Sequence, residues 1–257
     1  MIPTLGSVPY LNARPLVWGL EERVIFDVPS SLSDRFAGGE FDAALIPLFE
    51  VLRIPGCRIV DGLGIGCLGE VFSVLLAHRS PVADLREIVL DPASRTSAHL
   101  LRILVWEVFH AAPAFVSRSE DSDAARLIIG DPAMDFQYAP PPGWNILDLG
   151  QCWHKWTGLP FVFAVWAVRP GHPDATALAD LLRKTAASGL AARPDIAARE
   201  ENPERAMDYL IRNIQFALGP LEKQAISRFA DLCEARGFLA PGTPRPAYIP
   251  NDQEPDC

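Results

Sequence analysis

Four short polar segments interrupt an otherwise apolar chain, each where a predicted strand gives way to a turn or a helix. The first runs from Ser7 through Tyr10 and Asn12 to Leu16. Here Asn12 can offer a substrate both an amide donor and a carbonyl acceptor, or it can cap the helix that follows. The second is Asp91 to Ser97. Unpaired N–H groups and a partial positive charge at a helix start, with Ser94, Arg95, Thr96 and Ser97 in succession, suit a carboxylate; a plain cap with Arg95 in solvent is the alternative. The third, Ile129 to Ala133, holds Asp131, which can receive a substrate hydroxyl, pair with Arg95, or simply build an Asp-Pro turn. The fourth joins Asp148-Leu149-Gly150 to Trp153 through Phe161. Its aromatic residues and Thr157-Gly158 form a cleft wall or core packing, and His154 reads as structural. Ser73, the lone hydroxyl in Val71 to Ala77, reads from the residues alone as a buried serine satisfied by backbone.

The elements that must position these groups follow an α/β rhythm. Strands are predicted over Ile2 to Val8, Ile25 to Val28 and Ala43 to Pro47, with helices near Ala13 to Leu20 and over Ser31 to Ala37. Ser30 and Ser31 supply an N-cap for the second helix and Gly38-Gly39 a C-cap. Gly62 to Gly66 reads as a glycine-rich turn, with Gly69 the residue of close approach. A strand buried on both faces is predicted over Glu70 to His78, then a break at Ser80-Pro81. Ile88 to Leu90, a helix from Ser94 to Val108, and Leu127 to Gly130 open a second series. The prolines Pro140 to Pro142 mark a loop, and Leu159 to Val168 a returning buried strand. Helical periods follow over Ala175 to Ala187, Pro194 to Ala198, Pro203 to Phe216 and Pro220 to Arg236. The third of these has the pattern of an amphipathic surface helix. The Pro-rich tail from Pro241 to Cys257 is expected to be extended or loosely ordered. Crossovers near residue 80 and in the returning strand predict two lobes, residues 1–80 with 163–257 and residues 81–162, and a ligand cleft between them.

Composition narrows the partners. With 23 basic and 32 acidic residues the formal charge is −9, and no Lys/Arg cluster exceeds two residues, which argues against nucleic acid or an anionic membrane surface. No stretch approaches the ~20 apolar residues of a membrane span, and no basic segment followed by an apolar run opens the chain, so the cytoplasm is the expected location. The cysteines Cys57, Cys67, Cys152, Cys233 and Cys257 show no C-x-x-C pair and fit reduced, structural thiols. His78, His99, His110, His154 and His172 show no metal-ligand spacing.

Taken together, GSVPYLNARPL (Gly6 to Leu16), GGEFDAALIP (Gly38 to Pro47), GIGCLGEVFS (Gly64 to Ser73), LDPASRTS (Leu90 to Ser97), IGDPA (Ile129 to Ala133) and DLGQCWHKWTGLPFVFAVW (Asp148 to Trp166) resemble the chorismate dehydratase family of the futalosine route to menaquinone. The likeness covers roughly residues 2–170. It implies a two-lobed α/β fold similar to type II periplasmic binding proteins, the lobes joined by two crossover strands. It also implies removal of water from chorismate to give 3-[(1-carboxyvinyl)oxy]benzoate, without metal or organic cofactor. Asn12 and Ser73 then become the catalytic positions, with the substrate's own side-chain carboxylate as base. Tyr10, Ser94, Arg95, Thr96, Ser97, Asp131, Thr157 and Gly158 are the expected binding residues. Two alternatives share the fold: the dihydroxynaphthoate synthase of the same pathway, for which a histidine base is expected, and a non-catalytic small-anion binding protein or sensor.

Overall fold

The computed structural model describes residues 2–251, and eleven strands among them form two sheets. In chain order they are β1 (Leu5–Ser7), β2 (Val24–Phe26), β3 (Ala43–Pro47), β4 (Arg58–Cys67), β5 (Val74–His78), β6 (Glu87–Val89), β7 (Ala114–Val116), β8 (Ala125–Ile129), β9 (Asn145–Asp148), β10 (Phe161–Val168) and β11 (Ala247–Ile249). The first sheet has the order β11-β4-β10-β3-β1-β2 and the second β7-β6-β8-β5-β9. Their helices are α1 (Pro29–Ala37), α2 (Leu48–Arg53), α3 (Arg95–Glu107), α4 (Asp131–Tyr138), α5 (Leu149–Thr157), α6 (Ala175–Ala191), α7 (Arg193–Ala197), α8 (Pro203–Asp208) and α9 (Pro220–Ala235). None of the described helices is long and apolar enough to cross a membrane.

The two-lobed α/β architecture follows from where the apolar runs go. All five residues of β3 and all five of β5 are buried, as strands covered on both faces should be. The chain leaves the first sheet after Cys67 and enters the second at Val74, because β5 pairs antiparallel with β8 and β9. The passage therefore lies over residues 68–73, ahead of the predicted crossover at residue 80. It returns through α5 into β10, which lies antiparallel between β3 and β4 and so stitches the returning chain into the middle of the first sheet. Edge-to-face contacts of Trp153 with Phe161, and of Phe161 with Phe229, both at 5.2 Å, lock α5, β10 and α9 together.

Several local readings change. Gly62 to Gly66 is not a turn; it lies inside β4. A Cβ on Gly66 would stand 2.7 Å from the Phe161 carbonyl oxygen, and one on Gly64 3.3 Å from that of Ala164, so these glycines admit β10 at close range across an irregular register. Gly69 has φ of +95° with open space around it, and its role is conformational. The helix near Ala13 to Leu20 is a 3-10 turn over Leu11–Leu16. Helix α1 starts at Pro29, before the predicted serine cap, and Ser31 instead donates to Asp27. Helix α8 ends at Asp208 in a π turn over Tyr209–Asn213 rather than running on to Phe216. In the tail, Ala247–Ile249 adds a parallel strand to β4; residues 252–257, with Cys257, lie outside the described residues. Cys57, Cys67, Cys152 and Cys233 are buried free thiols.

Candidate active site

A cavity opens between the sheets. Five helical segments begin at its wall: the 3-10 turn capped by Tyr10, α1 at Pro29, α2 after Pro47, α3 at its N-cap Ser94, and α4 after Gly130. Each start leaves backbone N–H groups without helical partners and carries a partial positive charge. Among the described residues no charged side chain lines the cavity; its remaining walls are apolar, including Leu45, Ile65, Val71, Phe163 and Ile214. The site thus offers an anion the positive ends of helix dipoles and hydroxyls in apolar surroundings, where such dipoles act most strongly.

The polar groups are concentrated. Asn12 Nδ2 donates to the Tyr209 hydroxyl at 3.0 Å, and that hydroxyl donates to Ser73 Oγ at 2.8 Å. Asn12 and Ser73 line the cavity, whereas Tyr209 lies behind them, 1% exposed. Burial raises the Tyr209 phenol above its ordinary pKa, against the lowering pull of its Ser73 and Asn12 bonds, so it stays a neutral hydroxyl. Ser94 Oγ accepts from the Ser97 N–H and donates to Ser97 Oγ at 2.8 Å, and both serines line the cavity. Tyr10 also lines it. Its ring packs over Gly130, where an added Cβ would come within 3.3 Å, and burial followed by the charges of Asp91 and Asp131 raises its pKa.

Ser73 owes its place to a braced turn. Phe72 before it has φ of +67°, a conformation that costs a bulky residue about 1–2 kcal/mol. The buried Asp148 carboxylate accepts from the N–H groups of Val71 at 3.1 Å, Phe72 at 2.7 Å and Gln151 at 2.9 Å, holding this turn while capping α5. Gly150 makes room for it, since a Cβ there would lie 2.7 Å from the Gly69 carbonyl oxygen. Ser73 is also tied to the second sheet, its carbonyl accepting from Gly130 N–H at 2.8 Å.

The cavity therefore gathers Tyr10, Asn12, Ser73, Ser94 and Ser97, and the other predicted binding residues stand elsewhere. Arg95 turns outward, its guanidinium pairing with the nearly buried Glu50 at 2.9 Å and with Asp34 at 3.2 Å, rather than with Asp131. Thr96 Oγ1 accepts from Phe49 N–H at 2.9 Å, satisfying an N–H in the first turn of α2. Asp131 accepts from Leu11 N–H and faces a separate hollow with Tyr138, Glu200 and Arg205; burial, opposed by Arg14, raises its pKa. Thr157 donates to Trp153 O at 2.8 Å and Gly158 takes φ of +72°, so both terminate α5. His154 donates to the Leu159 carbonyl at 3.2 Å. Tyr209 escaped the sequence reading because it stands in what looks like a continuous amphipathic helix.

A family model described as menaquinone biosynthesis matches residues 3–235. The chain belongs to this menaquinone-biosynthesis family. Among its relatives, a protein named chorismate dehydratase from Thermus thermophilus is 28% identical over 255 residues, 88% of this chain and 93% of that protein. The 1,4-dihydroxy-6-naphtoate synthase of the same organism is 28% identical over 211 residues, 72% and 73% of the two chains. In fold, this menaquinone-biosynthesis chain is similar to a structural-genomics protein of Archaeoglobus fulgidus, with TM-score 0.72 and 14% identity over 91% of this chain and 98% of that one. It is also similar to the periplasmic aliphatic sulphonate binding protein of Escherichia coli, with TM-score 0.57 and 13% identity over 98% and 95%. The family member thus has the periplasmic-binding-protein-like fold.

Proposed function

We propose that this protein is a chorismate dehydratase, removing water from chorismate to give 3-[(1-carboxyvinyl)oxy]benzoate. The observation that carries the reading is a cavity without charged side chains, ringed by helix starts, in which Asn12 and Ser73 are held on one buried phenol. The reaction asks for little more. A proton leaves the ring carbon that bears the enol ether, the hydroxyl leaves the adjacent carbon, and the ring becomes aromatic. Orientation and a dry cradle for two carboxylates are the main requirements. In this reading the ring carboxylate sits against Ser94, Ser97 and the start of α3. Asn12 and Ser73 face the departing hydroxyl and the enolpyruvyl carboxylate, and that carboxylate takes the proton.

The dihydroxynaphthoate synthase reading needs a histidine at the reacting centre, and none of the described residues lining the cavity is a histidine. His99 is stacked on Phe49 at 3.8 Å with Nδ1 donating to Arg95 O, and burial pushes its pKa down to about 4. The test is to incubate purified protein with chorismate and, separately, with the synthase's larger cyclic substrate, and to follow both by chromatography. Formation of 3-[(1-carboxyvinyl)oxy]benzoate from chorismate alone is expected. Turnover of the cyclic substrate instead would select the synthase, and turnover of neither would leave a binding protein or sensor.

A further inference from the structure

We infer that Tyr209 is a positioning residue for the dehydration, setting the direction of the hydrogen-bond chain so that the Ser73 hydroxyl donates into the cavity. The inference rests on the chorismate reading and adds to it a residue that touches no substrate. A phenol has one proton to give. With the Asn12 amide NH2 facing the phenol oxygen at 3.0 Å, that proton goes to Ser73 Oγ at 2.8 Å. Ser73 thereby has an acceptor site filled and its own proton free, in a wall that holds no charged group to receive it. A substrate oxygen is the partner left for it. The same bond fixes the Asn12 carboxamide in one orientation, with its carbonyl and second N–H turned away from the phenol. Donors aligned head to tail polarise one another, which strengthens the last of them.

The fold goes to some length to put Tyr209 there. Tyr209 opens the π turn that ends α8, with Ile214 N–H bonding back to its carbonyl at 3.2 Å, and such turns re-aim side chains at functional sites. Beyond the turn, Ile214 lines the cavity, and Gln215 pairs with Gly66 in β4 through two 2.8 Å backbone bonds. The three residues also come from distant parts of the chain. Asn12 follows β1 of the first sheet, Tyr209 leads into the Gln215–Gly66 pairing on β4, and the Ser73 carbonyl accepts from Gly130 N–H beside the second sheet.

The test is a double-mutant cycle on purified protein with chorismate, using Tyr209→Phe, Ser73→Ala and the double variant. Tyr209→Phe is expected to lower kcat about 10- to 100-fold with KM within about threefold, and to cost less than about twofold more once Ser73 is alanine. A buried tyrosine with only a packing role would multiply its effect with that of Ser73→Ala. Active wild-type protein with Tyr209→Phe within twofold of it, or independent effects in the cycle, would overturn the role of Tyr209. Inactive wild-type protein would overturn the dehydratase reading together with it. A second measurement survives poor folding of the phenylalanine variant: 3-fluorotyrosine at 209 keeps the ring and both bonds. Its 19F resonance is expected to shift when 3-[(1-carboxyvinyl)oxy]benzoate binds, and to shift less in Ser73→Ala. The same shift in both proteins, or none in either, would contradict the inference.

Discussion

Replacing Asp148 by asparagine changes almost no volume and removes the brace behind Ser73. The carboxylate takes Val71 and Gln151 N–H on one oxygen and Phe72 N–H on the other. The amide can keep the first two, but its NH2 then faces the Phe72 N–H, donor against donor. A lost hydrogen bond to a charged group is worth about 1.5–3 kcal/mol, and a buried unpaired N–H costs about 1–3 kcal/mol more. Part of this is offset, because burial already raises the Asp148 pKa despite its three N–H donors and the neutral amide escapes that penalty. A net loss of about 2–3 kcal/mol lowers Tm by about 5–10 °C in a chain of this size. Phe72, no longer held at its positive φ, is expected to relax and carry Ser73 out of place, so kcat falls about tenfold. Calorimetry and chorismate turnover on the same preparation measure both effects. A Tm within 2 °C and a kcat within twofold of wild type would refute the brace.

Other perturbations separate packing, charge and titration. His99 has its pKa pushed down to about 4 from an ordinary 6.5, chiefly by burial. Its neutral form therefore contributes fully above pH 6.5, and the contribution is lost as pH falls toward 4, by about 3 kcal/mol. His99→Phe should flatten that limb of urea-unfolding stability relative to wild type. Gly189→Ala would drive a Cβ into the Pro15 carbonyl of the turn that carries Asn12. A loss of at least about 3 kcal/mol, or insoluble protein, is expected, and thermal melting checks it. Arg95→Gln leaves Glu50, 4% exposed, with only the 3.4 Å contact of Arg53. About 2 kcal/mol should be lost, allowing for the half-open setting of Arg95, and Glu50→Gln in the same chain should recover most of it.

What the sequence disclosed depended on how local the determinant was. The apolar run Ala43–Pro47 and the helix opening at Ser94 were legible because strand burial, proline and an N-cap serine are written in adjacent residues. Gly64 and Gly66 were misleading, since glycines that admit a neighbouring strand look like glycines that make a turn, and the neighbour, Phe161 to Ala164, lies nearly a hundred residues on. Thr157-Gly158 signalled polarity near the site but only closes α5. Arg95 stood among cavity-lining serines, yet a helix start turns successive side chains in different directions, and the buried Glu50 claims it. Asn12 stood out as an amide between a strand and a helix start, whereas Ser73 drew notice only through family resemblance. Tyr209 had no such help: its partners stand 197 and 136 residues away, and the π turn that aims it leaves no mark in the hydrophobic period.

The most direct test of the central claim is a crystal structure of the protein with 3-[(1-carboxyvinyl)oxy]benzoate bound. The ring carboxylate is expected at Ser94, Ser97 and the start of α3, with Asn12 and Ser73 within hydrogen-bond distance of the enolpyruvyl carboxylate or the vacated hydroxyl position. Product bound instead in an outer hollow, such as that between Trp18 and Arg199, with the inter-lobe cavity empty, would contradict it.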